Sequence, residues 1–179
     1  MAGELEIRLS GSGGQGLILA AGILAEALVA EGRTVAQSQS YEPTSRGGLS
    51  RSDLVVSDGE ADYPLVSELD YLVVLDQIAV ATSKRRIRDT AIVVTDRKTV
   101  PEPPSGDFKL VELPVLETAL VLGNRRIANM IALSALTALG GLCDRATLEE
   151  TVVRRSPERF RDLNREAVNK GWEMAGDCA

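Results

Sequence analysis

Gly11-Ser12-Gly13-Gly14-Gln15-Gly16 joins a short apolar run, Leu5 to Leu9, to a long helical run ending at Glu31, and the reading of this corner decides the fold. The spacing is G-x-G-x-x-G. In that pattern glycines permit a tight strand-to-helix turn, let a ligand approach bare backbone, and let the helix pack closely on the strand. Backbone N–H groups at the start of the helix then face an anion, with the positive end of the helix dipole behind them. A phosphate-bearing ligand is the expected guest, and Gly11, Ser12, Gly13, Gly14, Gln15 and Gly16 are the candidate contacts. The competing reading of the same glycines is tight packing alone.

Outward from the corner, the stretch from Gln15 to Glu31, carrying LILAAGILAEALVAE, is apolar nearly all round, as suits a helix buried between a sheet and other elements, and Gly32 stops it. Thr34-Val35-Ala36-Gln37 reads as a second strand, which makes a β-α-β unit with a parallel crossover. A dinucleotide site would place an acid near the end of that strand for the ribose hydroxyls. The chain instead has Gln37-Ser38-Gln39-Ser40, with no acid before Glu42, which argues against a free-standing nicotinamide enzyme.

The segment Ser40 to Asp53, SYEPTSRGGLSRSD, reads as a polar loop at the carboxyl edge of the sheet, beside the glycine corner. Ser40, Arg46, Gly47, Gly48 and Arg51 are its candidate ligand contacts; the alternative is a solvated loop with both arginines paired to nearby acids. Leu54 to Ser57 is expected as a strand, and Asp58-Gly59 as a hairpin turn into Ala61-Asp62-Tyr63, ended by Pro64. Tyr71 to Leu75 and Ala91 to Thr95 are continuous apolar runs of the buried parallel type, each followed by an acid, Asp76 and Asp96, that serves as readily for a helix cap as for a ligand.

Gln77 to Arg88 is expected as a short helix with a solvated basic end, and Pro101 to Gly106 as a stiff connector to a last strand, Lys109 to Leu113. Pro114 precedes an apolar piece through Leu122. Asn124 caps a helix running to about Leu139, Asp144 caps one over Arg145 to Val153, and Ser156-Pro157 opens the last. In that last helix Phe160, Leu163, Ala167, Val168, Gly171, Trp172 and Ala175 form a stripe that suits core or subunit contact. Strands alternating with helices predict a single doubly wound, mostly parallel sheet with a helical C-terminal segment, one domain over residues 1–179.

Composition narrows the function classes. The 179 residues are 44% hydrophobic, enough for one sizeable core, and a net charge of -6 disfavours nucleic acid, whose affinity comes largely from Lys and Arg neutralising phosphates. Aromatic residues are only 3%, which leaves little for base stacking. The two cysteines, Cys143 and Cys178, stand far apart, and there is no histidine, so zinc, haem and Fe–S sites held by this chain alone are not expected. No charged and apolar leader and no membrane-spanning run are visible, from which a soluble cytoplasmic protein is expected. A Ser nucleophile elbow, a Walker lysine and the Gly-Asp-Gly of a thiamine diphosphate site are all missing. The chemistry is therefore expected on another chain, with this one holding a ligand beside it.

Four pieces, in order along nearly the full length, carry a resemblance: GSGGQGLILA, SYEPTSRGGLSRSDLVVSD followed by Ala61-Asp62-Tyr63-Pro64, the Gly123-Asn124 to Asn129-Met130 helix start, and Asn164 to Gly171. The chain resembles the gamma subunit of the 2-oxoacid:ferredoxin oxidoreductases, the pyruvate and 2-oxoglutarate enzymes, where the unit also occurs fused within a longer polypeptide. One departure stands out. The family commonly has Gly-Pro-Glu-Ala-Arg-Gly-Gly where this chain has Glu42 to Gly48, so any role of that family glutamate has no residue to carry it here.

The resemblance implies a non-catalytic subunit of a complex that decarboxylates a 2-oxoacid, captures the acyl group with coenzyme A and passes electrons to ferredoxin. Thiamine diphosphate, magnesium and Fe–S clusters would sit on alpha and beta subunits, with a ferredoxin-like delta subunit in some complexes. It further implies that the glycine corner, with Ser12, Gln15, Ser40, Arg46 and Arg51, lies on the coenzyme A path. Two rivals remain at this point. The small subunit of indolepyruvate ferredoxin oxidoreductase shares the corner but has a histidine before its Arg-Gly-Gly, and a purely structural assembly subunit would bind no ligand.

Overall fold

The computed structural model describes residues 4–42, 47–59 and 65–178. Six strands form one sheet in the order β2-β3-β1-β4-β5-β6: β1 Leu5–Ser12, β2 Thr34–Tyr41, β3 Leu49–Ser57, β4 Leu69–Val74, β5 Ile87–Asp96 and β6 Lys109–Leu113. The helices are α1 Leu17–Ala30, α2 Val80–Ser83, α3 Val115–Val121, α4 Ala128–Gly140, α5 Arg145–Arg155 and α6 Arg161–Gly176. β1, β4, β5 and β6 pair in parallel, and β3 runs against both β1 and β2. The sheet is thus doubly wound and mostly parallel, with unequal cover on its two faces.

On one face, Leu17, Ile23, Leu24 and Leu28 of α1 meet Ile7, Leu9, Leu54 and Val56 of the sheet, and Ile131, Leu136, Leu148 and Val168 from α4, α5 and α6 close the same core. The other face is covered by α2 and its flanking turns over Val55, Leu72, Val74 and Val93. Arg8 lies in this second layer only 1% exposed. Its guanidinium forks onto Asp53 of the neighbouring strand through two bonds of 2.7 Å, and Nη1 donates to Ser83 Oγ at 3.3 Å in α2. Removing one member of such a pair leaves a buried charge alone, at a cost of about 3–5 kcal/mol.

The first crossover differs from the expected one. β2 does run parallel to β1, but β3 inserts between them, so β2 is an edge strand two places away. The cause lies in Leu49-Ser50-Arg51-Ser52-Asp53, whose even-numbered members are buried against the α1 side; these residues extend the strand expected at Leu54 back to Leu49. What reads as a polar loop from Ser40 to Asp53 is therefore a β2–β3 hairpin, with Ser40 opposite Arg51 and Tyr41 opposite Ser50. The turn expected at residues 58–63 falls mostly outside the described residues.

The helix expected from Gln77 to Arg88 is broken into a 3-10 turn Gln77–Ala79, the short α2 and a second turn Lys84–Arg86, after which Ile87 and Arg88 already belong to β5. Arg88 bonds Glu68 and Asp70 at the start of β4, which holds it in the sheet. Asp144 occupies the cap position of α5, yet its side chain makes no capping bond; its N–H donates to Glu31 instead. Ser156-Pro157 leads first into a 3-10 turn, Glu158–Phe160, and Ser156 Oγ donates back to Val152 O at 2.6 Å. The final stripe does bury Ala167, Val168, Gly171 and Ala175, and it packs on α4.

Candidate functional site

The glycine corner lies where β1 ends and α1 begins, at the carboxyl edge of the sheet. Gln15 organises it from within. Its Oε1 accepts the Ser12 N–H at 2.8 Å, and its Nε2 donates to Leu75 O at 2.8 Å at the end of β4. A Cβ on Gly11 would stand 2.2 Å from that Oε1, so the folded-back glutamine requires glycine there. Gly14 and Gly16 have φ of 94° and 73°, the left-handed region in which side chains are strained. Around Gly14 the space is open, since a Cβ there would meet nothing within 4 Å.

Hydrogen bonds within the corner sort its donors. Gly13 N–H reaches Gly48 O at 2.8 Å, which brings the Gly47-Gly48 segment against the turn, and Gln15 N–H reaches Ser12 O at 3.3 Å. The N–H groups of Gly14, Gly16 and the first residues of α1 have no hydrogen-bond partner among the described residues, as the open end of a helix requires. Asn129, 6% exposed at the start of α4, donates its Nδ2 to Gly16 O at 3.0 Å and ties the two helix starts together.

In front of this turn is a cavity of about 320 Å³. Ser12, Gly13, Gly14 and Gln15 form one wall, Leu75, Asp76, Asp96 and Thr99 the floor, and Val115, Leu116, Arg125 and Arg126 the other wall. Both acids are engaged in holding backbone. Asp76 Oδ1 caps the turn at Ile78 N, and Asp96, 1% exposed, accepts from the N–H groups of Lys98, Thr99 and Leu116 and from Thr99 Oγ1. With both of its oxygens met by N–H and O–H dipoles, Asp96 repels an anion less than a free carboxylate would.

Among the described residues, the cations beside this cavity come from a different segment than Arg51. Ser40 and Arg51 face each other across the β2–β3 pair and neither lines the cavity, while Arg46 lies outside the described residues. Arg125 and Arg126 line it instead, both exposed, and neither guanidinium has a partner among the described residues. Gly123-Asn124-Arg125-Arg126 reads in the sequence as a capped helix start, and Asn124 Oδ1 does accept from Arg126 N at 3.0 Å. The further signal in these residues is polarity: two cations at the positive end of a helix oppose its dipole, which is tolerable where an anion sits between them. Among the described residues no three side chains are grouped so as to hold a metal ion. The arrangement suits anion binding.

Residues 6–174 match the family described as pyruvate ferredoxin/flavodoxin oxidoreductase, and the chain belongs to that family. Over 174 residues it is 38% identical to a 2-oxoglutarate synthase subunit KorC of Archaeoglobus fulgidus, covering 97% of this chain and 89% of that one. A keto/oxoacid ferredoxin oxidoreductase gamma subunit from Geobacter sulfurreducens superposes with a TM-score of 0.89 at 38% identity, covering 98% of each chain. The fold also matches, at a TM-score of 0.85 and 24% identity, 31% of a longer chain of the 2-oxoglutarate:ferredoxin oxidoreductase from Magnetococcus marinus, solved with 2-oxoglutarate, coenzyme A and succinyl-CoA bound. The chain is a gamma subunit of a 2-oxoacid:ferredoxin oxidoreductase complex, and the other subunits of such a complex are its partners. No helix among the described residues is long and apolar enough to cross a membrane.

Proposed function

We propose that the chain works as one gamma-type domain, residues 1–179, in a cytoplasmic complex with alpha and beta subunits and a ferredoxin-like delta subunit, and that its own contribution is to hold the nucleotide end of coenzyme A. In this reading thiamine diphosphate, magnesium and the Fe–S clusters belong to the partners, electrons leave to ferredoxin, and the acyl pocket is formed elsewhere. The observation that carries it is the cavity between the glycine turn and Arg125 and Arg126, with N–H groups on one side and guanidinium groups on the other that have no partner among the described residues. Arginine suits a diphosphate because its planar fork offers paired donors.

The test is a titration of coenzyme A into the assembled complex, comparing the wild-type chain with Arg46→Ala and Arg126→Ala. Weaker binding by Arg126→Ala supports the cavity reading; unchanged affinity in Arg46→Ala removes Arg46 from the site, and unchanged affinity in both leaves the structural-subunit reading. The 2-oxoacid we propose is 2-oxoglutarate, supported by relatives named 2-oxoglutarate synthase subunits. Ferredoxin reduction by the complex with 2-oxoglutarate, pyruvate and branched 2-oxoacids in parallel tests it, and a faster rate with either of the others would overturn it.

A further inference from the structure

The two edges of the sheet are protected to different degrees. At one edge, β6 is only five residues long, exposes the charged Lys109 and Glu112, and has the Glu112 carbonyl covered by Arg97 Nε at 3.1 Å. Such features keep a sheet edge from pairing with another chain. At the other edge, β2 runs for eight residues, Thr34–Tyr41, without a charge or a proline. Just past it the Glu42 N–H donates to Leu49 O at 2.9 Å and continues the register of the pair, so the even-numbered residues of β2 turn their backbone groups to β3. The N–H and C=O groups of Val35, Gln37, Gln39 and Tyr41 therefore point away from the sheet, and none has a partner among the described residues. Gln37, Gln39 and Tyr41 are exposed, Tyr41 by 69%.

We infer that β2 is a dimer contact: it pairs antiparallel with β2 of a second copy of this chain and joins the two sheets into one. The strand is complementary to itself in one register. With the two-fold axis at Ser38, Val35 lies opposite the partner's Tyr41 and Gln37 opposite the partner's Gln39, so every outward N–H and C=O group finds a mate. A shift of two residues either way sets one of the four outward residues opposite a position outside the strand. Side chains agree with this register. Gln37 stands opposite Leu54 of the α1-side core, which puts Val35, Gln37, Gln39 and Tyr41 on that face. Val35 and the partner's Tyr41 then form a β-branched and aromatic cross-strand pair, and the facing carboxamides of Gln37 and the partner's Gln39 offer each other a donor and an acceptor. The ends suit an antiparallel arrangement. Arg33, which also holds Asp58 of its own chain, comes beside the partner's Glu42, whereas parallel pairing would set arginine beside arginine. A strand from a different subunit would not require this self-complementarity, which is what favours a second copy.

The experiment is analytical ultracentrifugation of the full-length chain over a range of concentrations, for the wild type and two double variants. Gln37→Lys with Gln39→Lys sets lysine opposite lysine across the axis, while Gln37→Glu with Gln39→Lys sets glutamate opposite lysine. Both positions are exposed, and melting curves of the two variants report folding. Expected is a wild-type dimer whose dissociation constant rises about tenfold or more in the double-lysine variant and stays within about threefold in the glutamate–lysine variant, tenfold being about 1.4 kcal/mol. A wild-type chain that stays monomeric overturns the inference and gives the edge to a strand of another subunit. Equal dimerisation by the wild type and the double-lysine variant overturns it too. So does a glutamate–lysine variant as weak as the double-lysine one, because the facing residues are then not Gln37 and Gln39.

Discussion

The corner at Gly11–Gly16 and the seam between α4 and α6 both depend on glycine, for opposite reasons. At Gly14 the backbone needs a positive φ and the space around it is empty. At Gly171 there is no space: a Cβ would stand 2.3 Å from Ile131 O, 2.7 Å from Ser134 Cβ and 3.0 Å from Ala135 N. Ser134 Oγ donates across that seam to Val168 O at 2.7 Å, which the close approach of the two backbones allows. One glycine keeps a surface open, and the other closes an interior. A substitution at the seam is therefore read in stability, and one at the corner in binding.

The largest expected effect is at the seam. Gly171→Leu must push α6 off α4, and a loss of about 3 kcal/mol or more is expected in urea denaturation. A midpoint equal to that of the wild type would mean that the helices pack less closely than described. Next in size is the brace of the corner. Gln15→Ala leaves Ser12 N–H and Leu75 O without their partner, and about 1–3 kcal/mol of stability should be lost, with coenzyme A binding weakened as the turn loosens.

At Gly14 itself the balance reverses. Gly14→Ala costs about 1–2 kcal/mol for the left-handed backbone, since the methyl meets nothing. Coenzyme A affinity should fall by a larger share, because the methyl enters the side from which a ligand approaches. Equal affinity in Gly14→Ala and wild type would make the open corner a packing device like the seam.

The smallest effect, a pH dependence that is flat at neutral pH, concerns Cys143. Burial pushes its thiol up to about 12, with Glu31 and Asp144 adding to the rise. The unfolded chain loses this proton near pH 9.0 and the folded chain only near 12, so between those values the folded state binds more protons and stability falls as pH rises. Below pH 9.0 the contribution is fully present. Denaturation midpoints of wild type and Cys143→Ala from pH 8 to 11 should converge as pH rises; parallel curves would contradict the raised value. A thiol reagent at pH 8 is expected to modify exposed Cys178 and leave Cys143 untouched in the folded chain.

The parts of the fold written in local pattern were legible in the sequence. Leu17 to Ala30, Lys109 to Leu113 and the α6 stripe carry their own period, and the structure has them where expected. The insertion of β3 between β1 and β2 was not, because strand order is set by pairings across the chain, such as Arg8 with Asp53, that no local run displays. The helix at Gln77 failed for the same reason: Arg88 is drawn into β5 by Glu68 and Asp70, acids 20 and 18 positions earlier in the chain. At the site the glycine turn was readable, since its spacing is local. Its cationic wall was not, because the topology brings Arg125 and Arg126 to the turn from more than a hundred residues away, while the nearer Arg51 lies in a strand that does not line the cavity.

The most direct measurement is calorimetric titration of coenzyme A into the full-length chain, wild type against the double variant Arg125→Ala and Arg126→Ala. Both side chains are exposed, so folding should survive their loss. If the cavity between the glycine turn and these arginines holds the nucleotide end, the wild type binds saturably and the double variant binds about tenfold or more weakly at an unchanged melting temperature. Equal binding by the two proteins would contradict it.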